Sequence, residues 1–459
     1  MFDLVIRGGT VVTPSGSIIC DVGVRGEAIV ELGNLSASER EIDARGKLVV
    51  PGGIDVHVHF TPTFEPGPGV PMRPDDFETG SLAAVAGGIT TIGNMTHQRQ
   101  GQTLREAIER DMAIARKDSV VDYVLHPVLN EPSPLALADI SELAREGHTS
   151  LRLFMSFQQF DRHVDQYVDA LRIAGRSGVL TMIHCEDGAM IRHLVRELVR
   201  QGRRAMRHYP DTRPPSTEIA AVERAIAFAR ATGAAVYLVH VSSAEAVEAV
   251  RRGRQHGARV YVETRPLYLY LTRQRFKEAD AGKYVGNPPL REAADVEAIW
   301  EALASEEIQT VCSDHAPWTL DQKLDPALDV STALPGVADL ETLMPMLFSE
   351  GVVARRISLE RFVELTSTNA AKLFGMFPRK GAVAVGADAD LVVWDPQMRR
   401  EVNGSAMLSR AGYSVYDGWI VQGWPSVTVS RGEVVFQNGE LQTLPGRGRW
   451  VHCDPAPGC

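Results

Sequence analysis

The stretch Pro51-Gly52-Gly53-Ile54-Asp55-Val56-His57-Val58-His59-Phe60 decides how the chain is read. A Pro-Gly-Gly break opens a short run in which apolar and polar side chains alternate. A period of two is a strand, and it puts His57 and His59 on one face, with Ile54, Val56, Val58 and Phe60 on the other. Seven further apolar runs follow: GITTIGNM (88–95), VDYVLHPVL (121–129), TSLRLFMSF (149–157), VLTMIHCE (179–186), AAVYLVHVSS (234–243), ARVYVET (258–264) and IQTVCSD (308–314). Amphipathic stretches such as LREAIERDMAIARKD (104–118), VDQYVDALRIAGRSG (164–178) and TEIAAVERAIAFARATG (217–233) lie between them. Eight strand–helix units over 51–378 predict an α/β fold of the (β/α)8 TIM-barrel type. A doubly wound sheet would want a GxGxxG turn after its first strand, and PGGIDVHVH offers none.

Outward from this middle, both ends change texture. Residues 1–50 (LVIRGGTVV, IICDVGVRG, AIVELG, KLVV) and 379–459 (VGADADLVVWD, SVTVSRGEVVFQNGEL) read as short strands broken by Gly-rich turns. Together they predict a small β-sandwich domain built from both termini.

Composition excludes several classes. The chain has 459 residues, a net charge of −10, 44% hydrophobic and 23% charged residues, which suits a soluble globular protein. The acidic balance argues against a nucleic-acid partner. No apolar run reaches the ~18 residues of a membrane span, and no secretory signal pattern opens the chain. Five Cys, odd in number and without a CxxC pair, point to reduced thiols and a cytoplasmic setting. Cys20 and Cys312 fall in apolar runs and read as buried. Among 48 basic residues only seven are Lys (47, 117, 277, 283, 323, 372, 380) and 41 are Arg.

The chemistry lies where the strands end. His184 closes VLTMIH, His240 closes VYLVH, and Asp314 closes IQTVCSD ahead of His315. With His57 and His59 they form a set of four His and one Asp at matching positions on different βα units. Barrel closure brings such ends to one mouth, where barrel enzymes build their sites. One imidazole at a strand end is ordinary core packing. Five such groups together read as a metal site. His97 and His126, near other strand ends, remain open at this point.

The chain resembles the amidohydrolase superfamily, and within it the cyclic amidases: hydantoinases and dihydropyrimidinases, then allantoinases and dihydroorotases. The motifs that carry the likeness are PGGIDVHVH, DDFETGSLAAVAGGITTI, VETRPLYLYLT, KYVGNPPLR, SDHAP, KGAVAVGADADLVVWDP and YDGWIVQGWPSVTVSRGEVV. The resemblance implies the barrel and β-sandwich already read, and homo-oligomers, dimers or tetramers. It also implies that His57, His59 and Asp314 hold one divalent metal, usually zinc, and that His184 and His240 hold a second. A carboxylated Lys normally bridges the two. Here Gly147-His148-Thr149-Ser150-Leu151-Arg152-Leu153-Phe154-Met155-Ser156-Phe157 puts Arg152 at that position. Arg stays cationic and cannot carry a carbamate, so one metal per chain and no carboxylated lysine are expected. Phe157 stands where the family often has a Tyr that steadies an oxyanion.

The expected reaction is metal-dependent hydrolysis of a cyclic amide: a hydantoin, dihydropyrimidine or related imide. Asp314 is the expected base and acid for the water and the leaving nitrogen. His240, if it is not a ligand, polarises the carbonyl. Asn287, in Gly286-Asn287-Pro288-Pro289, matches a position that meets the substrate ring. Arg152 offers a forked donor to a carboxylate or pairs with Asp314. Phe60, Phe64, Phe157 and Met155 are candidates for an apolar pocket wall, with core packing favoured for Met155 and Phe154. Two alternatives stand beside this reading. One is a one-metal relative acting on another amide or a lactone. The other is a non-catalytic homologue that serves as a binding or assembly partner, and retention of all five ligands speaks against it.

Overall fold

The computed structural model describes residues 1–61 and 71–455. The N-terminal segment supplies β1 (Phe2–Thr13), β2 (Gly16–Arg25), β3 (Ala28–Gly33), β4 (Ser38–Asp43) and β5 (Leu48–Pro51). Eight strands follow: β6 (Gly53–Val58), β7 (Ile89–His97), β8 (Asp122–Val128), β9 (Ser150–Phe154), β10 (Leu180–His184), β11 (Val236–Leu238), β12 (Val260–Thr264) and β13 (Thr310–Val311). The chain returns to the first sheet with β14 (Leu391–Glu401), β15 (Ile420–Ser430), β16 (Glu433–Gln437) and β17 (Glu440–Leu441).

β6 to β13 pair in sequence order, all in parallel. The ring closes where Val58 bridges His315, the His59 amide donates to the His315 carbonyl (2.9 Å), and the Ser313 amide donates to Asp55 (3.1 Å). This is the (β/α)8 barrel. Every residue of β6, β7, β8, β10 and β11 is buried, as strands covered on both sides require. The helices outside are set by local signals. Leu104–Asp118 starts at a Thr103–Glu106 capping box, and Pro134–Arg145 carries Pro in its first turn behind a Ser133 cap.

The termini form the β-sandwich domain, a nine-stranded mixed sheet ordered β17-β16-β15-β14-β5-β1-β2-β3, with β4 on β1. Its apolar filling includes Leu4, Ile6, Val11, Val24, Val49, Leu391, Val393, Val427 and Val429. Beyond β17 the tail leaves this sheet and crosses the barrel floor. Val451 pairs with Tyr123, and the Cys453 amide donates to the Gly147 carbonyl. Sheet and barrel are also joined by a buried ionic cluster. Lys380 Nζ lies 2.7 Å from Asp122, 3.1 Å from Asp388 and 2.6 Å from Asp390, and Arg431 reaches Asp122 at 2.6 Å. The three carboxylates are spaced to hold a cation, and the ammonium is that cation.

Two expectations change, one on the first barrel strand and one on a cysteine of β2. Ile54 and Val56 pack with the cluster inside the barrel, and Val58 and Phe60 with the cluster behind it. The β6–β7 register shifts between Asp55 and Val58, and this irregularity breaks the simple alternation. Cys20 is only partly buried, whereas Cys312 is buried. No disulfide forms among the described residues, and no helix there is long and apolar enough to cross a membrane.

Candidate active site

At the C-terminal mouth of the barrel, β7, β9, β10 and the segments just after β6, β11 and β13 each present a side chain to one cavity of about 200 Å³. Its lining includes His59, Arg73, His97, Arg152, Phe154, Phe157, His184, His240, Asn287 and Asp314. His57 stands behind His59. His57 Nε2, His59 Nε2 and Asp314 Oδ1 are separated by 3.3, 3.0 and 3.3 Å. Donors about 2.0–2.2 Å from one divalent ion fall at such separations, so the three fit a single metal.

The pair His240 Nε2 and His184 Nδ1 is 2.9 Å apart. These two nitrogens also suit one ion; burial lowers the proton affinity of both, the Arg152 guanidinium adds to this, and Glu186 on His184 and Asp314 near His240 oppose it.

Supporting groups fix these rings. Glu263 Oε1 accepts from His57 Nδ1 at 2.7 Å and from the His240 amide at 3.1 Å, which leaves His57 Nε2 facing Asp314. Glu186 Oε2 bonds His184 Nε2 at 2.8 Å and turns its Nδ1 inward, and Arg213 donates to the same oxygen at 2.8 Å. Burial pushes His59 down to about 3 and lowers His184 and His240, so all three are neutral and able to ligate. Burial acts to raise the Asp314 carboxyl. The Arg265 guanidinium, 2.7 Å from Oδ2, and the two imidazoles outweigh it and hold the group well below the usual carboxylate range. His240 (φ 43°) and Asp314 (φ 49°) both hold left-handed backbone, an uncommon state for non-glycine residues and one that gathers at functional sites.

Asn287 enters the cavity rim with its Oδ1 accepting from the Tyr209 hydroxyl, which leaves its amide nitrogen for another partner. Phe157 lies flat on Phe154, 4.5 Å between centroids and 7° between planes. Arg152 does not pair with Asp314; Arg265 does. The apolar wall is Phe154 and Phe157. Phe60 packs edge-on against Phe77, and Met155 joins the core outside. Phe64 lies outside the described residues. Of the two open histidines, His97 lines the cavity, and His126 bonds Ser150 at 2.6 Å and meets Phe374 on the floor. Glu263, Arg265, Glu186 and Arg73 have no part in the reading of the sequence. For Glu263 and Arg265 the signal was there: both sit in VETR, at the end of β12, where the other strands place their functional groups.

The Amidohydrolase family matches residues 48–435. A D-hydantoinase of Ralstonia pickettii is 36% identical over 98% of both chains. The solved D-hydantoinase of Bacillus sp. AR9 superposes with a TM-score of 0.92 at 36% identity, covering 99% of each chain. A solved dihydropyrimidinase of Brevibacillus agri NCHU1002 also gives 0.92 at 36% identity, covering 98% of this chain and 99% of that one.

Proposed function

The chain belongs to the amidohydrolase family, and on that premise we propose that it hydrolyses a cyclic amide (a hydantoin, dihydropyrimidine or related imide) with one divalent metal, zinc or its equivalent, per chain. The observation that carries this reading is the convergence of His57, His59 and Asp314 to within 3.0–3.3 Å at the barrel mouth. Those three residues would hold the ion, which when bound lowers the pKa of water and draws electrons from a carbonyl.

The chain's own groups do the rest. Asp314 is kept ionised by Arg265 and therefore in the form that accepts a proton. It takes one proton from the attacking water and returns it to the ring nitrogen as the C–N bond breaks. His240, whose backbone is fixed by Glu263, faces the carbonyl oxygen. The free amide nitrogen of Asn287 donates to a ring carbonyl. Phe157 and Phe154 offer the ring a flat apolar wall and keep water from it. Arg152, in the place the family gives to a carboxylated Lys, contributes positive charge to the substrate side of the cavity.

The test is turnover on a panel of hydantoins, dihydrouracil and succinimide, with added zinc, followed by loss of ring absorbance. Opening of at least one ring, and its loss in Asp314→Asn, is the expected result. A panel with no turnover by metal-loaded protein overturns the reading.

A further inference from the structure

Arg152 is a charge that the chain itself leaves unanswered. Its side chain is wholly buried on the cavity wall, and Nε, Nη1 and Nη2 are all without a hydrogen-bond partner in the protein. The Phe154 ring packs against it, 4.4 Å from centroid to Cζ. The carboxylates within electrostatic reach are engaged elsewhere. Glu263 serves His57, the His240 amide and Tyr237; Asp314 faces His57 and His59 with one oxygen and Arg265 with the other. Burial draws the guanidinium down to about 10, which still leaves it cationic at neutral pH. Arg73 lines the same cavity and adds to its positive potential. A buried cation with its donors unpaired is unfavourable unless something else completes it. The planar fork of a guanidinium matches the two oxygens of a carboxylate, the anion that cyclic-amide chemistry supplies.

We propose that Arg152 forms a carboxylate-binding subsite within this cavity. The carboxylate has two possible sources. One is an acidic substituent that the ring brings with it. The other is the carboxylate that ring opening itself creates, when water adds to the carbonyl carbon and the C–N bond breaks. The inference rests on the cyclic-amide reading only for the choice of probes.

The experiment is calorimetric binding to the purified full chain, with and without chelator. Two matched pairs serve as probes: a hydantoin bearing a carboxymethyl group against its carboxamide, and the ring-opened N-carbamoyl amino acid against its amide. At least one carboxylate is expected to bind tenfold or more tightly than its amide. That preference should collapse in Arg152→Met and survive in part in Arg152→Lys, which keeps the charge without the fork. The pair that shows the preference identifies the source. Equal binding within both pairs, or a preference that persists in Arg152→Met, overturns the subsite. A carboxylate preference without turnover of any ring keeps the subsite and removes the cyclic-amide reading. Turnover without the preference does the reverse.

Discussion

Lys380 and Arg152 are both buried cations, and the structure treats them in opposite ways. Lys380 holds three carboxylates within 3.1 Å and ties barrel to sheet. Arg152 has none of its nitrogens bonded, on the wall of a cavity. The first arrangement is complete within the chain and serves to hold it together. The second is complete only with something from outside. Saturation of polar groups thus separates a structural cluster from a working one, even where residue types and burial are alike.

The largest effect concerns the metal. Elemental analysis of zinc-loaded protein is expected to give about one ion per chain, and its removal by chelator to abolish ring opening, with zinc restoring it. Two ions per chain would mean that Arg152 yields its place, and the contrast with Lys380 would fail. Next is Lys380→Met, which leaves Asp122, Asp388 and Asp390 facing one another, with Arg431 on Asp122 and Arg379 near Asp388 as the remaining cations. Urea denaturation should show a loss of about 3–5 kcal/mol. Arg152→Met should move the other way and gain about 1–3 kcal/mol, since an unpaired charge leaves the interior and no bond goes with it. A loss of similar size would put Arg152 in the same class as Lys380.

The smallest effect sharpens the contrast with an acid. Burial raises the Glu341 carboxyl to about 7, and its hydrogen bond from the Leu408 amide (2.9 Å) only partly opposes this. Between about pH 4.5 and 7 the folded chain keeps a proton that the unfolded chain has released. Stability therefore falls as pH rises through that window and levels off above it. Glu341→Gln should flatten this slope and stabilise the protein at pH 8 by about 1–2 kcal/mol, read from denaturation midpoints across pH.

The fold was legible because its signals are local. Each barrel strand is a short apolar run, and even two-residue β13 was visible through IQTVCSD. The His/Asp set was legible for the same reason, since His57 and His59 close one strand and His184, His240 and Asp314 close three others. What was not legible depends on contacts across the ring. Glu263 bonds His57, and Arg265 bonds Asp314, only because closure brings distant units together. Phe154 was a different kind of miss. It shares a strand with Arg152 two residues away, so the alternation that pairs His57 with His59 places it in the cavity too. Arg73 follows no strand pattern at all.

The closure that joins β6 to the segment after β13 carries one more consequence. A hoop of parallel strands has a single joint that does not follow from chain order, and here it is narrow: one bridge and two flanking bonds. His57 and His59 stand on one side of that joint and Asp314 on the other. An ion gripped by all three is a rivet through the joint. On the proposed metal site, loading the site and fastening the hoop would be the same event, and the chain's resistance to opening would rise and fall with the supply of metal.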